Sequence, residues 1–417
     1  MGQSKHLGRV AVVGLGVTGR AVADYLETQK DRVDELVLLE GDDKVDGPFD
    51  LIIISPGIAP HTALFKSARN ATDDLISEIE FAYRESSNRW VAITGTNGKT
   101  TTTALTTHLL NEGGQEAYAV GNIGTTAISQ IGGVGPDAIL VVEVSSFQLE
   151  TCRNFSPSVA AILNLTPDHL NWHDTLDEYI DAKCNVLRNL DPGSLVLVDA
   201  QNEYFSRIYE QAMLSGALVR AIDVARLDDD PLPPLQIKGV HNIENALFAR
   251  EIARWFEVDE DAIDAALSSF KPVRHRLQFA GSVKGAHWYN DSKATNPEAT
   301  LKALRSFEGE DLVLLLGGRN KGNDMHPLAT AASQVAHQVV VFGQDQEEIA
   351  EAFDDTYRDR VHRTATMRDA LLWVYENGED ASIVLLSPAC TSFDEFDNFE
   401  QRGEVFCAFA AEHLDAE

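Results

Sequence analysis

Trp90-Val91-Ala92-Ile93-Thr94-Gly95-Thr96-Asn97-Gly98-Lys99-Thr100-Thr101 is the stretch on which the reading of this 417-residue chain turns. Trp90–Thr94 reads as a buried strand, and a helix follows from about Thr101 to Leu110. A glycine loop between such elements lets the backbone N–H groups of Gly95, Thr96, Asn97 and Gly98 surround phosphate oxygens, with the Lys99 ammonium beside them. The hydroxyl of Thr100 or Thr101 is placed to meet Mg²⁺. The stretch departs from the common spacing at one position, where Ile93 replaces the first glycine. A plain strand-to-helix turn has no use for Gly-Lys-Thr-Thr together.

Upstream, Gly14-Leu15-Gly16-Val17-Thr18-Gly19 lies between the strand Arg9–Val13 and a helix through Ala21 to Leu26. This is the spacing that brings a pyrophosphate to a helix N-terminus, and Glu40, at the end of the strand Leu36–Glu40, stands where a ribose-binding acid would. Alone, the motif leaves a nicotinamide-dependent dehydrogenase open. A third strand, Leu51–Ile54, runs into Ser55-Pro56-Gly57-Ile58.

Downstream, strands are expected at Ala138–Val144, Val159–Asn164 and Leu195–Val198, and helices at Asn245–Phe256 and Asp261–Phe270. A last set of strands falls at His287–Asn290, Leu312–Leu316, Val339–Phe342 and Ile383–Leu386. Apolar strands alternating with helical stretches predict an α/β protein with buried parallel sheets. The polar stretch 85–89 and Pro272 divide it into segments 1–88, 89–272 and 273–417.

Glu143 ends an apolar strand beside the phosphate loop, where a carboxylate can hold Mg²⁺. His169 follows another strand at the same edge and is a candidate second metal ligand. Thr175-Leu176-Asp177-Glu178 reads as a capping box opening a helix. That helix's apolar stripe is Leu176, Tyr179, Ile180, Val186, Leu187 and Leu190, and Lys183 falls inside it. Either the lysine stem packs while its ammonium reaches water, or a modified or metal-linked lysine faces the site.

Composition narrows the function. Hydrophobic residues make up 44% and charged residues 24%, a globular balance, with no apolar run long enough to cross a membrane. The formal net charge of −31 argues against nucleic acid or an anionic membrane as partner. Cys152, Cys184, Cys390 and Cys407 are far apart, which fits a reducing cytoplasm better than a disulfide framework.

The phosphate loop resembles that of the Mur ligase family. So do Gly121-Asn122-Ile123-Gly124, Glu143-Val144-Ser145-Ser146-Phe147-Gln148-Leu149-Glu150, Asp291-Ser292-Lys293-Ala294-Thr295-Asn296, Ser387-Pro388-Ala389-Cys390 and Phe399-Glu400-Gln401-Arg402-Gly403. The likeness runs in order over essentially the whole chain and lies nearest the D-glutamate-adding branch. It implies a Rossmann-like UDP-sugar domain, a central P-loop ATPase-like domain and a Rossmann-like C-terminal domain that brings the amino acid. It further implies a cytoplasmic, monomeric ligase that joins D-glutamate to UDP-N-acetylmuramoyl-L-alanine with ATP and two Mg²⁺ ions.

By the same resemblance, Gly95 to Thr101, Asn242, Asn245, Arg276, Asp291 and Lys321 serve ATP. Lys99, Glu143, His169 and Lys183 are catalytic, and Thr100, Glu143, His169 and a carbamylated Lys183 hold metal. Val17, Thr18, Ser55, Pro56, Gly57, Asn122, Ser145 and Gln148 meet the muramoyl substrate, and Lys293, Thr295, Ser392 and Phe399 grip D-glutamate. Two places depart from the family: Glu40-Gly41-Asp42-Asp43, where a basic residue is common, and Arg319-Asn320 before Lys321. A dehydrogenase would explain neither the second glycine loop nor Asp291–Asn296. A non-catalytic nucleotide-binding regulator would have no need of Glu143 or Lys183.

Overall fold

Runs of Val, Ile and Leu make the centre of each sheet. The computed structural model describes residues 6–41, 43–168, 172–173, 175–227, 230–237, 239–378 and 381–415. Among them are three sheets. The first comprises β1 (Gly8–Val13), β2 (Val33–Leu39), β3 (Leu51–Ile54) and β4 (Leu75–Ile76), in the parallel order β2-β1-β3-β4. The second holds β5 (Arg89–Thr94), β6 (Ala117–Gly121), β7 (Ile139–Glu143), β8 (Val159–Ile162), β9 (Leu195–Asp199) and β10 (Leu218–Ile222). Its order is β10-β9-β8-β5-β7-β6, again parallel.

The third sheet holds β11 (Gln278–Val283), β12 (Ala286–Asn290), β13 (Leu312–Gly317), β14 (Ala336–Phe342), β15 (Val361–Arg363) and β16 (Ile383–Ala389). Its order is β11-β12-β16-β13-β14-β15, parallel apart from the β11–β12 hairpin. Mixed α/β architecture with parallel sheets is therefore what the apolar runs produce.

The chain divides into two compact units. One comprises residues 1–234 and 243–269, the other 235–242 and 270–417. The first two sheets fall in the same unit because they share a core. Val10, Val12, Ile53 and Phe81 belong to one buried cluster with Trp90, Val142, Phe155 and Ile162. Tyr83, Trp90 and Phe155 meet edge to face across that seam, with ring centroids 5.3–6.0 Å apart.

The helix Glu78–Glu85 bridges the two sheets, and Ser77 caps it by accepting from Glu80 N. Its Glu80 carboxylate accepts from Arg84 Nε and from the backbone N–H groups of Arg153, Asn154 and Phe155.

Two local expectations change. Thr175 does cap the next helix, accepting from Glu178 N, but that helix ends at Cys184 and a 3₁₀ turn, Asn185–Leu187, follows. The apolar stripe stays buried through Val186, Leu187 and Leu190 because the tighter turn keeps the chain on the core. The helix foreseen from Asn245 begins at Val240.

Candidate active site

In open α/β sheets, ligands sit beyond the strand C-termini where the strand order reverses. In the first sheet that point lies between β1 and β3. Gly14 there has φ +89°, and a Cβ on it would press on Ser55 and Ile58, so the glycine turn before Val17 and Thr18 abuts the segment leaving β3 at Ser55. The helix Val17–Thr28 has no side-chain cap, and Val17 is 82% exposed. Gly16 and Val17 at its start are thus exposed, as an anion-binding end requires.

In the second sheet the order reverses between β5 and β8. The loop leaving β5 is fixed by the segment leaving β8: Thr96 N donates to Asn164 O, Asn97 N to Asn164 Oδ1, and Asn164 Nδ2 back to Asn97 O. Thr96 Oγ1 also pairs with the Tyr179 hydroxyl at 2.9 Å. Glycines are required at two points. Gly95 (φ +145°) lies against the Asn164 backbone, and at Gly98 (φ +87°) any Cβ would collide with Asn245 Oδ1.

The helix Lys99–Glu112 then begins with four consecutive threonines, all buried. Such β-branched residues are mediocre helix formers, so packing sustains this helix. Thr102 Oγ1 donates to Gly98 O and to Asn245 Oδ1, tying the loop to the helix Val240–Trp255.

Two lysines converge on this loop. Lys99 Nζ donates to Gly95 O and Thr96 O at 3.0 and 2.9 Å, and Lys183 Nζ donates to Gly95 O at 2.7 Å. Lys183 is only 2% exposed, so its ammonium does not reach water and the packed-stem alternative is overturned. Burial, then the Lys99 charge, holds its pKa well below the ordinary lysine range. Its Nζ also sits over the Tyr179 ring, 4.8 Å from the centroid.

Glu143 closes β7 and is 2% exposed. Asn122 Nδ2 donates to its Oε1 at 3.1 Å, while Oε2 is buried with no hydrogen-bond partner among the described residues. A buried carboxylate oxygen left unmatched beside a phosphate loop is the donor a divalent cation takes. Among the described residues no group of three or more His, Cys, Asp and Glu gathers as a metal cage. One carboxylate with phosphate oxygens is the usual manner of Mg²⁺ at a nucleotide site, so the donor set fits that ion. His169 lies outside the described residues. Ser145 and Gln148 form a reciprocal capping box on Ser146–Leu149, which holds both side chains beside Glu143 in the chain.

The second unit gathers another set. Asp291, just after β12, accepts from Ser387 Oγ at 2.8 Å and from Leu277 N at 3.3 Å. Burial pushes its carboxyl up to about 7, against the hydrogen bond from Ser387 and the Arg276 charge. The turn carrying Arg276 is strained: His275 and Leu277 both have positive φ, 64° and 40°. Lys293 Nζ lies over the Phe399 ring, 3.8 Å from its centroid, and Thr295 N donates to Lys293 O.

Ser392 is buried and Lys321 exposed. Asn320, in the departing Arg319-Asn320 pair, closes its loop by bonding Asn323 and Glu348. Asn242 also belongs to this unit and is buried. Sequence reasoning missed Asn164, Tyr179 and the fully buried Arg402, which lashes Ser292, Cys390 and Gly317 together.

This arrangement defines a class, an α/β protein with a glycine loop, two converging lysines and a buried carboxylate at the switch point of its second sheet. Family models agree: the Mur ligase middle domain matches residues 93–226, and the Mur ligase glutamate ligase domain matches residues 275–390. The chain is 37% identical over 380 residues to the UDP-N-acetylmuramoylalanine–D-glutamate ligase of Pelotomaculum thermopropionicum, covering 86% of this chain and 82% of the relative. It is 36% identical over 440 residues to the ligase of the same name from Koribacter versatilis, covering 95% and 96%.

Among solved structures, MurF ligase from Thermotoga maritima in complex with ADP superposes with a TM-score of 0.64 at 14% identity, covering 98% of this chain and 96% of that one. The MurC ligase of the same organism gives 0.63 at 18%, covering 97% and 99%. The chain belongs to the Mur ligase family, and within it to the group of the UDP-N-acetylmuramoylalanine–D-glutamate ligases.

Proposed function

We propose that this enzyme joins D-glutamate to UDP-N-acetylmuramoyl-L-alanine at the expense of ATP. The observation that carries the reading is the presence together of Lys99, on its glycine loop, and Glu143, at the end of the neighbouring strand with Oε2 buried and unmatched among the described residues. The relatives' name supplies the substrates.

The alanyl carboxylate attacks the γ-phosphorus of ATP, an O–P bond forms, and ADP leaves. The loop N–H groups and Lys99 offset charge on the transferring phosphoryl group, so positioning and electrostatics dominate the step. The D-glutamate amine then attacks the acyl phosphate, loses a proton, and inorganic phosphate departs as the amide forms. Thr100, Glu143, His169 and a carbamylated Lys183 would hold Mg²⁺, which when bound adds positive charge beside the phosphates.

Carbamylation needs a neutral amine to attack CO₂, and Lys183 has the burial and the neighbouring Lys99 charge that favour one. The division of labour proposed is a Rossmann-like UDP-sugar module at 1–88, a P-loop ATPase-like module at 89–272 and a Rossmann-like amino-acid module at 273–417. Asp291, Arg276, Asn242, Asn245 and Lys321 are assigned to ATP. Lys293, Thr295, Ser392 and Phe399 are assigned to D-glutamate.

The test is phosphate release with UDP-N-acetylmuramoyl-L-alanine, ATP, Mg²⁺ and each candidate amino acid. D-Glutamate should support turnover; release with L-alanine or diaminopimelate instead would defeat the assignment. Labelled bicarbonate with carbon-13 NMR tests Lys183, and active protein lacking a carbamate signal removes that modification.

A further inference from the structure

Glu78 opens the helix Glu78–Glu85 and is 2% exposed, yet its ligands are two backbone N–H groups. Ile128 N donates to its Oε1 at 2.6 Å, and Ala127 N–H also bonds the carboxylate. These are the first N–H groups of the helix Ala127–Ile131, which has no cap of its own because the Thr126 hydroxyl pairs with Ser129 Oγ instead. The cap thus comes from about fifty residues away, across the seam between the first two sheets. Holding a carboxylate there is unfavourable, and burial pushes its carboxyl up to about 7. Such local expense is commonest where function needs the geometry it secures.

The segment so held is the loop after β6. Gly121 N donates to Thr125 O, Asn122 N to Glu143 O, and Asn122 Nδ2 to Glu143 Oε1. A continuous path therefore runs from Glu78 through the helix Ala127–Ile131 and its loop to Asn122 and the strand-end carboxylate. Glu80, two residues further on, offers an internal contrast. It too crosses the seam, but it braces Arg153, Asn154 and Phe155, none of which is a site residue.

We propose that Glu78 is a positioning residue for the muramoyl end of the site, fixing the loop 121–126 and with it Asn122 against Glu143. The proposal rests on the ligase reading above, because Asn122 matters only if that substrate binds there. Steady-state kinetics on the full chain provide the test. Glu78→Ala should raise KM for UDP-N-acetylmuramoyl-L-alanine about tenfold, the scale of a small misplacement of a binding group. KM for ATP should stay within about twofold, since the phosphate loop is held separately by Asn164 and Tyr179.

Glu78→Gln, which still accepts a hydrogen bond, should restore most of the affinity. Glu80→Gln should lower Tm without moving KM. The Glu78→Ala/Asn122→Ala double variant should bind no worse than Asn122→Ala alone. Should the alanine variant not fold, Glu78→Asp keeps the carboxyl but shortens its reach and takes its place. A wild-type KM in the folded variant, or penalties from Glu78 and Asn122 that multiply, overturns the proposal. Wild-type protein inactive with D-glutamate would instead sink the ligase reading itself.

Discussion

Lys183 and Arg402 are both buried basic side chains that donate to backbone carbonyls, one in each compact unit, and they are used in opposite ways. Arg402, 0% exposed, spends its planar fork on four acceptors: Ser292 Oγ, Ser292 O, Cys390 O and Gly317 O. Burial lowers its pKa only to about 10, so at neutral pH it stays charged and rigid. Lys183 makes a single hydrogen bond among the described residues, and burial beside Lys99 favours its neutral form. The guanidinium is scaffold; the amine is available for chemistry.

The largest effects should separate these roles. Lys183→Met should cut turnover roughly 10³-fold, the scale of losing a charge-stabilising group, while Tm holds or rises because a buried polar amine becomes an apolar stem. Lys99→Ala should cost a similar factor. Phosphate release alongside thermal melts reads both, and a Lys183→Met protein with ordinary turnover would break the contrast. Arg402→Met should do the reverse: about 3–4 kcal/mol lost to urea denaturation, from carbonyls left unsatisfied. Arg402→Lys should not rescue it, for an ammonium cannot reproduce the fork. A stability equal to wild type would make Arg402 dispensable as scaffold.

Glu78 sharpens the distinction between groups that burial can discharge and those it cannot. Its carboxyl moves from the ordinary 4.5 to about 7 in the fold, so the native state keeps a proton that the unfolded chain gives up. That contribution is complete below pH 4.5 and is lost as pH rises through 7. Relative to wild type, Glu78→Gln should gain on the order of 3 kcal/mol between pH 4 and pH 8. Urea midpoints at both pH values that differ from wild type by the same amount would refute it. The smallest effect belongs to the exposed Arg358–Asp355 pair at 2.8 Å, where Arg358→Ala should change stability by no more than about 0.5 kcal/mol.

How much of this was legible depended on position within each sheet. Every interior strand was readable from its apolar run. The strands missed, β4, β6, β10, β11 and β15, all lie at sheet edges, where half-exposed residues such as Arg220 and Ser282 dilute the pattern or, as with β4, two residues make none. The phosphate loop, Glu143 and the intrusive Lys183 were visible because local chemistry marks them. The roles of Asn164, Tyr179, Glu78 and Arg402 were not, since their partners lie far away in sequence; Tyr179 read only as part of an apolar stripe and Arg402 only as part of a family motif.

The aromatic seam of Tyr83, Trp90 and Phe155 makes the nucleotide-handling half a poor candidate for piecemeal transfer. A fragment starting at residue 89 would surface Trp90 and Phe155 and leave the amides of Arg153, Asn154 and Phe155 without their acceptor. Expressed alone, it should be sticky, dye-binding and prone to inclusion bodies. Chimaeras between homologues would splice more safely near residue 270, where one compact unit gives way to the other.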